Sequence, residues 1–362
     1  MKKLLTLVIG VLATVLITAC SPATQPPTDA SGASGSAAAA GTRMVKDSSG
    51  TEVELPANVT KVAPTIGAFS AVTAMLGASD KIVAATTSSL SERFKATYPG
   101  YEKANPKGYD TKNVEDIIAS GAQVVYCPGN LTEEQQAQLK GAGIAFVTID
   151  KLSTVEEMSQ AFSIIGEILG GEHQQKAEKL VELYKGNVAD TAKRTASLTD
   201  AARVPVLQLR ADGNQYTTIN SKDISHEYIV AAGGVNVAAD FTASGQGTGL
   251  VVGTEQVAAW NPKMIFTLSQ ESKQAILADP ALATVDAVKE NNIQVCPAGV
   301  YLWCVRSAEG ALAPHWLGKL LHPDLFSDVD MTAEVKSFYK DYGYQDLDNQ
   351  ATQEILAGRR ES

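Results

Sequence analysis

The chain has 362 residues, 44% hydrophobic and 19% charged, with a formal charge of −10. That is enough apolar material for a substantial core in two domains or one large one. No Lys/Arg-rich run occurs, which excludes nucleic acid as a main partner, because phosphate contacts need clustered basic side chains.

The N-terminus indicates a destination. Met1-Lys2-Lys3 is a short basic start, and Leu4 to Ala19 carries no charge. This run is too short to span a bilayer comfortably and reads as a signal peptide over residues 1–19. It ends in Leu16-Ile17-Thr18-Ala19-Cys20, which resembles a bacterial lipobox, where the cysteine becomes the lipid-bearing first residue of the mature chain. Residues 20–42 are then a lipidated Cys20 and a tether. Ser21 to Gly41 contains only Ser, Pro, Ala, Thr, Gln, Gly and one Asp, too little apolar surface to offset the entropy of ordering. The expectation is a folded domain anchored by lipid to the cell membrane, facing the outside or the periplasm.

A first lobe is expected over residues 43–170. Met44 to Leu55 reads as a hairpin turning at Asp47-Ser48-Ser49-Gly50. Val59 to Ala63 is a strand stopped by Pro64, Ala68 to Leu76 a helix ending at Gly77, and Lys81 to Ala85 a further strand. Thr86 to Lys112 is long and irregular, the kind of stretch that is usually functional. Helix Thr132 to Lys140 and strand Ile144 to Ile149 continue an alternation that predicts a parallel sheet.

The central stretch opens with Ser153-Thr154-Val155-Glu156, a capping-box pattern. Gly170-Gly171 breaks it, and the helix from Glu172 to about Ser197 would span ~39 Å. This predicts a connecting helix over 171–198, with only the part after the break bridging the lobes and the part before it packing on the first. The second lobe, 199–345, repeats the pattern: strand Arg203 to Leu209, strand Gln215 to Ile219, helix Ser225 to Ala232, a glycine-rich loop from Gly233 to Gly253, strand Ile293 to Cys296, and helices Ala308 to Leu321 and Thr332 to Tyr342. Residues 346–362 read as a tail.

Two fifteen-residue windows relate the halves. NVEDIIASGAQVVYC from Asn113 and GTEQVAAWNPKMIFT from Gly253 align without a gap. Glu115 falls on Glu255, Gly121 on Asn261, and Val124 on Met264, each window reading as helix, turn and buried strand. Cys296 and Cys304 lie eight apart around a Pro-Gly turn, a pairing that an oxidising compartment permits. Cys127 reads as a buried thiol. No CxxC or CxxH spacing suggests a metal site. Gly245-Gln246-Gly247-Thr248-Gly249 lacks the last glycine of a nucleotide fingerprint, and there is no GxSxG elbow or HExxH.

Together these residues resemble the substrate-binding lipoproteins of ABC importers for ferric siderophores, haem and vitamin B12. The resemblance runs from Val53 to Tyr342. It rests on Lys61-Val62-Ala63-Pro64 with the helix after it, the two Glu windows, the long helix between them and the Trp303-to-Leu312 region. It implies an α/β fold of two lobes, each a mostly parallel sheet flanked by helices, joined by one long helix, with ligand in the cleft between them. It implies a monomer without a cofactor that hands a small-molecule chelate to a permease and its ATPase. Glu115 and Glu255 match glutamates that dock on permease arginines; the plain alternative is favourable negative charge at helix starts. Tyr301, Trp303 and Arg306 match a ligand-contacting loop, with Tyr109 and Arg210 as further candidates. Arg306 suits a carboxylate or anionic chelate, unless it pairs with Glu309, and Trp303 is a core residue in the alternative reading. His226 with Tyr109 would suit haem iron, but a ferric siderophore is favoured over corrinoid or haem. An exported enzyme or a surface sensory domain is the competing class.

Overall fold

The computed structural model describes residues 41–86, 91–104 (backbone only for 102–104), 113–129, 131–213, 215–243, 249–343 and 347–359. The expected signal peptide, Cys20 and most of the tether lie outside the described residues. Among the described residues no helix is long and apolar enough to cross a membrane.

The N-terminal lobe begins with a hairpin of β1 (Thr42–Lys46) and β2 (Glu52–Pro56), antiparallel with Lys46 opposite Glu52. Asp47 ties its turn by accepting from the Ser49 and Thr51 amides at 2.9 Å each. β3 (Val62–Pro64), β4 (Val124–Cys127) and β5 (Ala145–Thr148) form a parallel sheet in that spatial order. Alternate residues of β4 enter different cores, Val124 and Tyr126 one, Val125 and Cys127 the other. A strand buried on both faces reads as an unbroken apolar run. The strand expected at Lys81 to Ala85 shrinks to one parallel bridge, Ile82 to Val62, because the backbone pairing ends at the Val83 amide.

Helices flank this sheet. α1 (Gly67–Thr73) continues into a wider turn through Ala78, where Gly77 adopts φ 89°. The stretch expected to be irregular contains α2 (Glu92–Thr97), capped by Ser91, and α3 (Pro99–Ala104). α4 (Val114–Ala119) precedes β4 and α5 (Glu133–Gly141) precedes β5.

α6 (Val155–Leu169) and α7 (Gly171–Thr195) follow, and α7 is about 37 Å long at 1.5 Å per residue. The break between them is Gly170 and Gly171, both at positive φ. α7 starts on the N-terminal lobe, where His173 Nδ1 lies 2.8 Å from the Leu76 carbonyl. It ends on the C-terminal lobe, where Thr195 donates to the Ala231 carbonyl at 2.7 Å. The expectation that the part before the break packs only on the first lobe is wrong. α6 runs back alongside α7, from the second lobe to the first. Its Val155 amide donates to Glu227 at 2.7 Å, while Arg43 donates to the Ile168 carbonyl at 2.6 Å. The helix cap falls one residue later than the capping-box pattern placed it: Thr154 accepts from the Glu157 amide at 3.1 Å, and Glu157 accepts from the Ser153 amide at 2.7 Å. Two antiparallel helices therefore bridge the lobes.

In the C-terminal lobe, β6 (Val204–Asp212) is the hub. Its first half pairs in parallel with β8 (Gly234–Asn236) and β10 (Met264–Thr267), and β10 pairs with β11 (Ile293–Val295). Its second half folds back on β7 (Gln215–Thr218), which pairs antiparallel with β9 (Leu250–Val252). The helices are α8 (Ile224–Ala231), α9 (Thr254–Trp260), α10 (Gln270–Ala278), α11 (Asp286–Lys289), α12 (Ala313–Leu321), α13 (Met331–Tyr342) and α14 (Asn349–Leu356). β8 and β9 lie within the stretch expected to be loop; three residues are too few to leave a periodic signal. The expected tail is also corrected. α14 buries Ile355, whose carbonyl accepts from the Ala298 amide at 3.0 Å, and its Glu354 meets Arg93 of the first lobe at 3.4 Å.

The two aligned windows adopt the same structure. α4 and α9 start one residue before Glu115 and Glu255, and β4 and β10 start at Val124 and Met264. Gly121 and Asn261 both take left-handed backbone, at φ 71° and 43°, the conformation that ends a helix through Gly or Asn.

One apolar cluster joins the lobes, holding Phe69 and Tyr126 of the first, Phe162 and Tyr184 of the helix pair, and Phe266 and Phe338 of the second. The helix pair is close because Gly166 of α6 faces Ala177 of α7, with no space for a side chain between them. Gly166→Val should lower stability by about 1–3 kcal/mol through overpacking, read as a lower midpoint in chemical denaturation.

A second tie lies at the far end of α7. His315 sits between carboxylates, Nδ1 2.9 Å from Glu334 and Nε2 3.1 Å from Asp190, with Arg194 also on Asp190 at 2.6 Å and on Asp328 at 2.6 Å. Burial alone would lower the imidazole pKa, but the hydrogen bonds and charges of Glu334 and Asp190 together raise it above 6.5. Because the folded-state pKa is raised, the tie contributes fully below pH 6.5 and is lost as pH rises from there through the higher folded-state pKa. The melting temperature should therefore fall from pH 6 to pH 9 more in the native chain than in His315→Gln.

Candidate ligand-binding site

The site begins with the loop after β11. Pro297 to Trp303 folds back on itself: Ala298 stands opposite Leu302 in an antiparallel bridge, flanked by the Trp303 amide donating to the Pro297 carbonyl at 3.1 Å and the Gly299 amide to the Tyr301 carbonyl at 3.0 Å. A buried carboxylate fixes its tip. Glu309 accepts from the Val300 amide at 2.9 Å, the Tyr301 amide at 2.5 Å and the Tyr339 hydroxyl. Any Cβ at Gly299 would overlap Tyr339 and Glu309, so the turn requires glycine. From the first lobe, Ser91 donates to the Val300 carbonyl at 3.2 Å.

Beside this loop lies a cavity of about 340 Å³. Thr218 and Asn220 at the end of β7, Lys222 and Asp223 before α8, Thr242, and Arg306 give it polar character, while Ile219 and Leu250 give it apolar wall. The volume is at the small end of the range for small-molecule pockets. Arg306 is about one-third exposed and lies 3.8 Å from Asp223. Asp223 also caps α8, accepting from the Ser225 amide at 3.0 Å. Lys222 is exposed and has no ion-pair partner among the described residues. Two cations against one carboxylate leave the cavity net positive.

Of the described residues expected at the ligand, only Arg306 lines this cavity. Its partner is Asp223 rather than Glu309, because the Glu309 carboxylate is already occupied by loop amides and Tyr339. Tyr301 is partly buried against the core, and its amide donates to Glu309 at 2.5 Å. Trp303 has 0% exposure and leaves no face for stacking, and its indole N–H has no partner among the described residues. Arg210 is exposed in the β6–β7 hairpin and pairs with Asp212 at 3.1 Å, outside the cavity lining. Tyr109 lies outside the described residues. His226 is half-buried near Asn236 and does not line the cavity; burial holds its pKa down against the pull of Glu227, Asp223 and Asp240. Among the described residues no three His, Cys, Asp or Glu side chains gather as metal ligands would.

Lys222, Asn220, Thr218 and Thr242 were missed by sequence reasoning. Asn220-Ser221-Lys222-Asp223 between a strand and a helix was the available signal, a polar turn with a capping aspartate at a strand end. Glu115 and Glu255 are both exposed in the first turns of α4 and α9. Cys127 is a buried thiol, and Cys296 and Cys304 are buried free thiols rather than a disulfide.

Comparison with known proteins agrees with this architecture. The profile of the periplasmic binding protein family matches residues 63–299, and the chain belongs to that family. An uncharacterized ABC transporter substrate-binding lipoprotein of Bacillus subtilis, YvrC, is 26% identical over 291 residues, 78% of this chain and 87% of that protein. The molybdate-binding protein MolA of Haemophilus influenzae is 23% identical over 326 residues, 83% and 90% of the two chains. A periplasmic solute-binding protein of Veillonella parvula superposes with a TM-score of 0.73 at 24% identity, covering 87% and 97%. Helicobacter pylori CeuE with bound Ni(II) gives 0.67 at 20%, covering 87% and 99%.

Glu309→Ala should strand two loop amides and a tyrosine hydroxyl in the core, at a cost on the order of 3 kcal/mol. A lowered denaturation midpoint together with faster proteolysis of the 297–306 loop would register it.

Proposed function

We propose that this chain is an extracytoplasmic solute-binding lipoprotein that captures an anionic metal chelate, of the ferric-siderophore type, and delivers it to an ABC importer. The observation that carries the ligand class is Arg306 and Lys222 beside one cavity, with the Thr218, Asn220 and Thr242 side chains around them. A guanidinium presents a planar fork suited to oxyanions and carboxylates, and a lysine adds long-range attraction. Family membership and the lipoprotein relative support the transport role, and Cys20 would carry the lipid. Binding rather than catalysis is the reading, supported by the transport relatives.

Glu115 and Glu255 would dock the loaded protein on the permease. Each is exposed at the matching place in its lobe, so charge complementarity at two separated points would set register and speed encounter. Because two packed helices and a shared core join the lobes, closure on ligand should be small rather than a hinge swing.

Molybdate or a similar oxyanion is the second reading. It is favoured by the molybdate-binding relative and by the modest cavity volume, which suits a small anion.

Isothermal titration against ferric chelates and molybdate separates the two readings. With whichever anion binds, Arg306→Ala should weaken affinity by about 10- to 100-fold, as expected for loss of charge-assisted hydrogen bonds. Unchanged affinity would reject the site. Glu115→Arg and Glu255→Arg should abolish uptake in cells while leaving titrated affinity intact; full uptake in both would reject docking.

A further inference from the structure

The cavity presents acceptors as well as cations. Asp223, which lines it, divides its two carboxylate oxygens. Oδ1 accepts from the Ser225 amide at 3.0 Å and so caps α8, while Oδ2 lies 3.8 Å from the Arg306 guanidinium. That separation is beyond hydrogen-bond reach, and among the described residues Oδ2 accepts no hydrogen bond. A carboxylate oxygen can only accept. Thr218, also in the lining, offers the same chemistry: its hydroxyl proton is committed to the Gln208 carbonyl at 2.7 Å, which leaves only oxygen lone pairs. Asn220 is tied at both ends, donating to the Phe241 carbonyl at 3.0 Å and accepting from the Lys222 amide at 3.0 Å. Thr218 is 1% exposed and the Asp223 side chain 17%. Acceptors this far from bulk water are costly to leave unpaired once a ligand fills the space beside them.

We infer that Asp223 is the specificity determinant of this site, and that its ligand carries an O–H or N–H donor beside an anionic oxygen. The inference rests on the proposed anion-binding role of the cavity and narrows it. An anion without a proton, such as molybdate or sulfate at neutral pH, suits Arg306 and Lys222 but brings like charge up to Asp223. It also has nothing to donate to Oδ2. An anion with an adjacent donor satisfies the cations and the carboxylate together. Phosphate, which keeps a proton at neutral pH, has this chemistry. So does a ferric chelate with a free hydroxyl beside a peripheral carboxylate. A site built to bond a ligand hydroxyl rejects the analogue lacking it, because the site's own polar group is then left unpaired.

Asp223→Asn isolates the effect. Asparagine caps helices as well as aspartate does, so its side-chain oxygen stays on the Ser225 amide. Its NH2 group then takes the place of Oδ2, and an acceptor becomes a donor. Every anion gains from loss of the negative charge, but only a donor-bearing one loses a partner. The affinity ratio within a matched pair of ligands is therefore the readout, one that a merely structural role for Asp223 would not move.

Two sets of probes serve in isothermal titration of the full chain. One is phosphate against sulfate and molybdate. The other is the ferric tris-catecholates of seryl and alanyl catechol amides, which differ only in the seryl hydroxyl. In the set that binds, the native chain should favour the hydroxyl-bearing member by about 10- to 100-fold, and Asp223→Asn should bring the ratio within about 3-fold. Asp223→Ser, which also caps and carries no charge, should give the same loss of preference and guards against a folding defect in the first variant. Equal affinities in the native chain, or a preference that survives both variants, would overturn the inference while leaving the anion site standing. Binding of none of the probes by the native chain would overturn the anion site and this inference with it.

Discussion

The close approach of α6 and α7 at Gly166 and Ala177 is the constraint on which the rest of the molecule depends. Absence of a side chain at Gly166 lets two antiparallel helices meet nearly backbone to side chain. Both helices reach both lobes, so their contact sets the lobe separation twice over. Phe162 and Tyr184 stack edge to face within this pair, and Tyr184 continues to Tyr228 of α8, carrying one apolar cluster across the molecule. Packing at interior density resists continuous deformation, and the described residues accordingly belong to one compact unit.

That rigid frame decides what the binding site can be. The cavity is lined from the end of β7, the start of α8 and the loop after β11, elements positioned by the C-terminal sheet. Arg306 is poised rather than locked: its ion pair with Asp223 is long, and Asp223 has a second obligation as the cap of α8. Glu309 has the opposite character. Buried and fully engaged, it organises the loop and is unavailable to Arg306.

The C-terminal helix α14 joins this organisation from outside. Ile355 anchors it beneath Ala298, at the root of the loop after β11, and Glu354 reaches Arg93 of the first lobe. Ser91, two residues before Arg93, touches the tip of the same loop through the Val300 carbonyl. The loop is thus gripped from the second lobe by Glu309 and from the first by Ser91, with α14 linking both.

The sequence by itself determined the alternating α/β order, the long helix and its break, and the two matched windows, because each is written in local periodicity and in Gly or Asn at helix ends. The alignment of Gly121 with Asn261 was legible for that reason: left-handed backbone selects those residues whatever surrounds them. Arg306 was singled out only through the family resemblance, which matched its loop to a ligand-contacting one. Tertiary structure alone decided that α6 also bridges, because the acceptor of the Val155 amide, Glu227, is distant in sequence. It alone made Trp303 core and joined Thr218, Lys222 and Arg306 around one cavity. It also gave β8 and β9 their strand identity, since segments of three residues acquire it only from their neighbours. Short-range stereochemistry can be read along a chain; which distant groups satisfy one another's hydrogen bonds and charges is settled only when the chain packs.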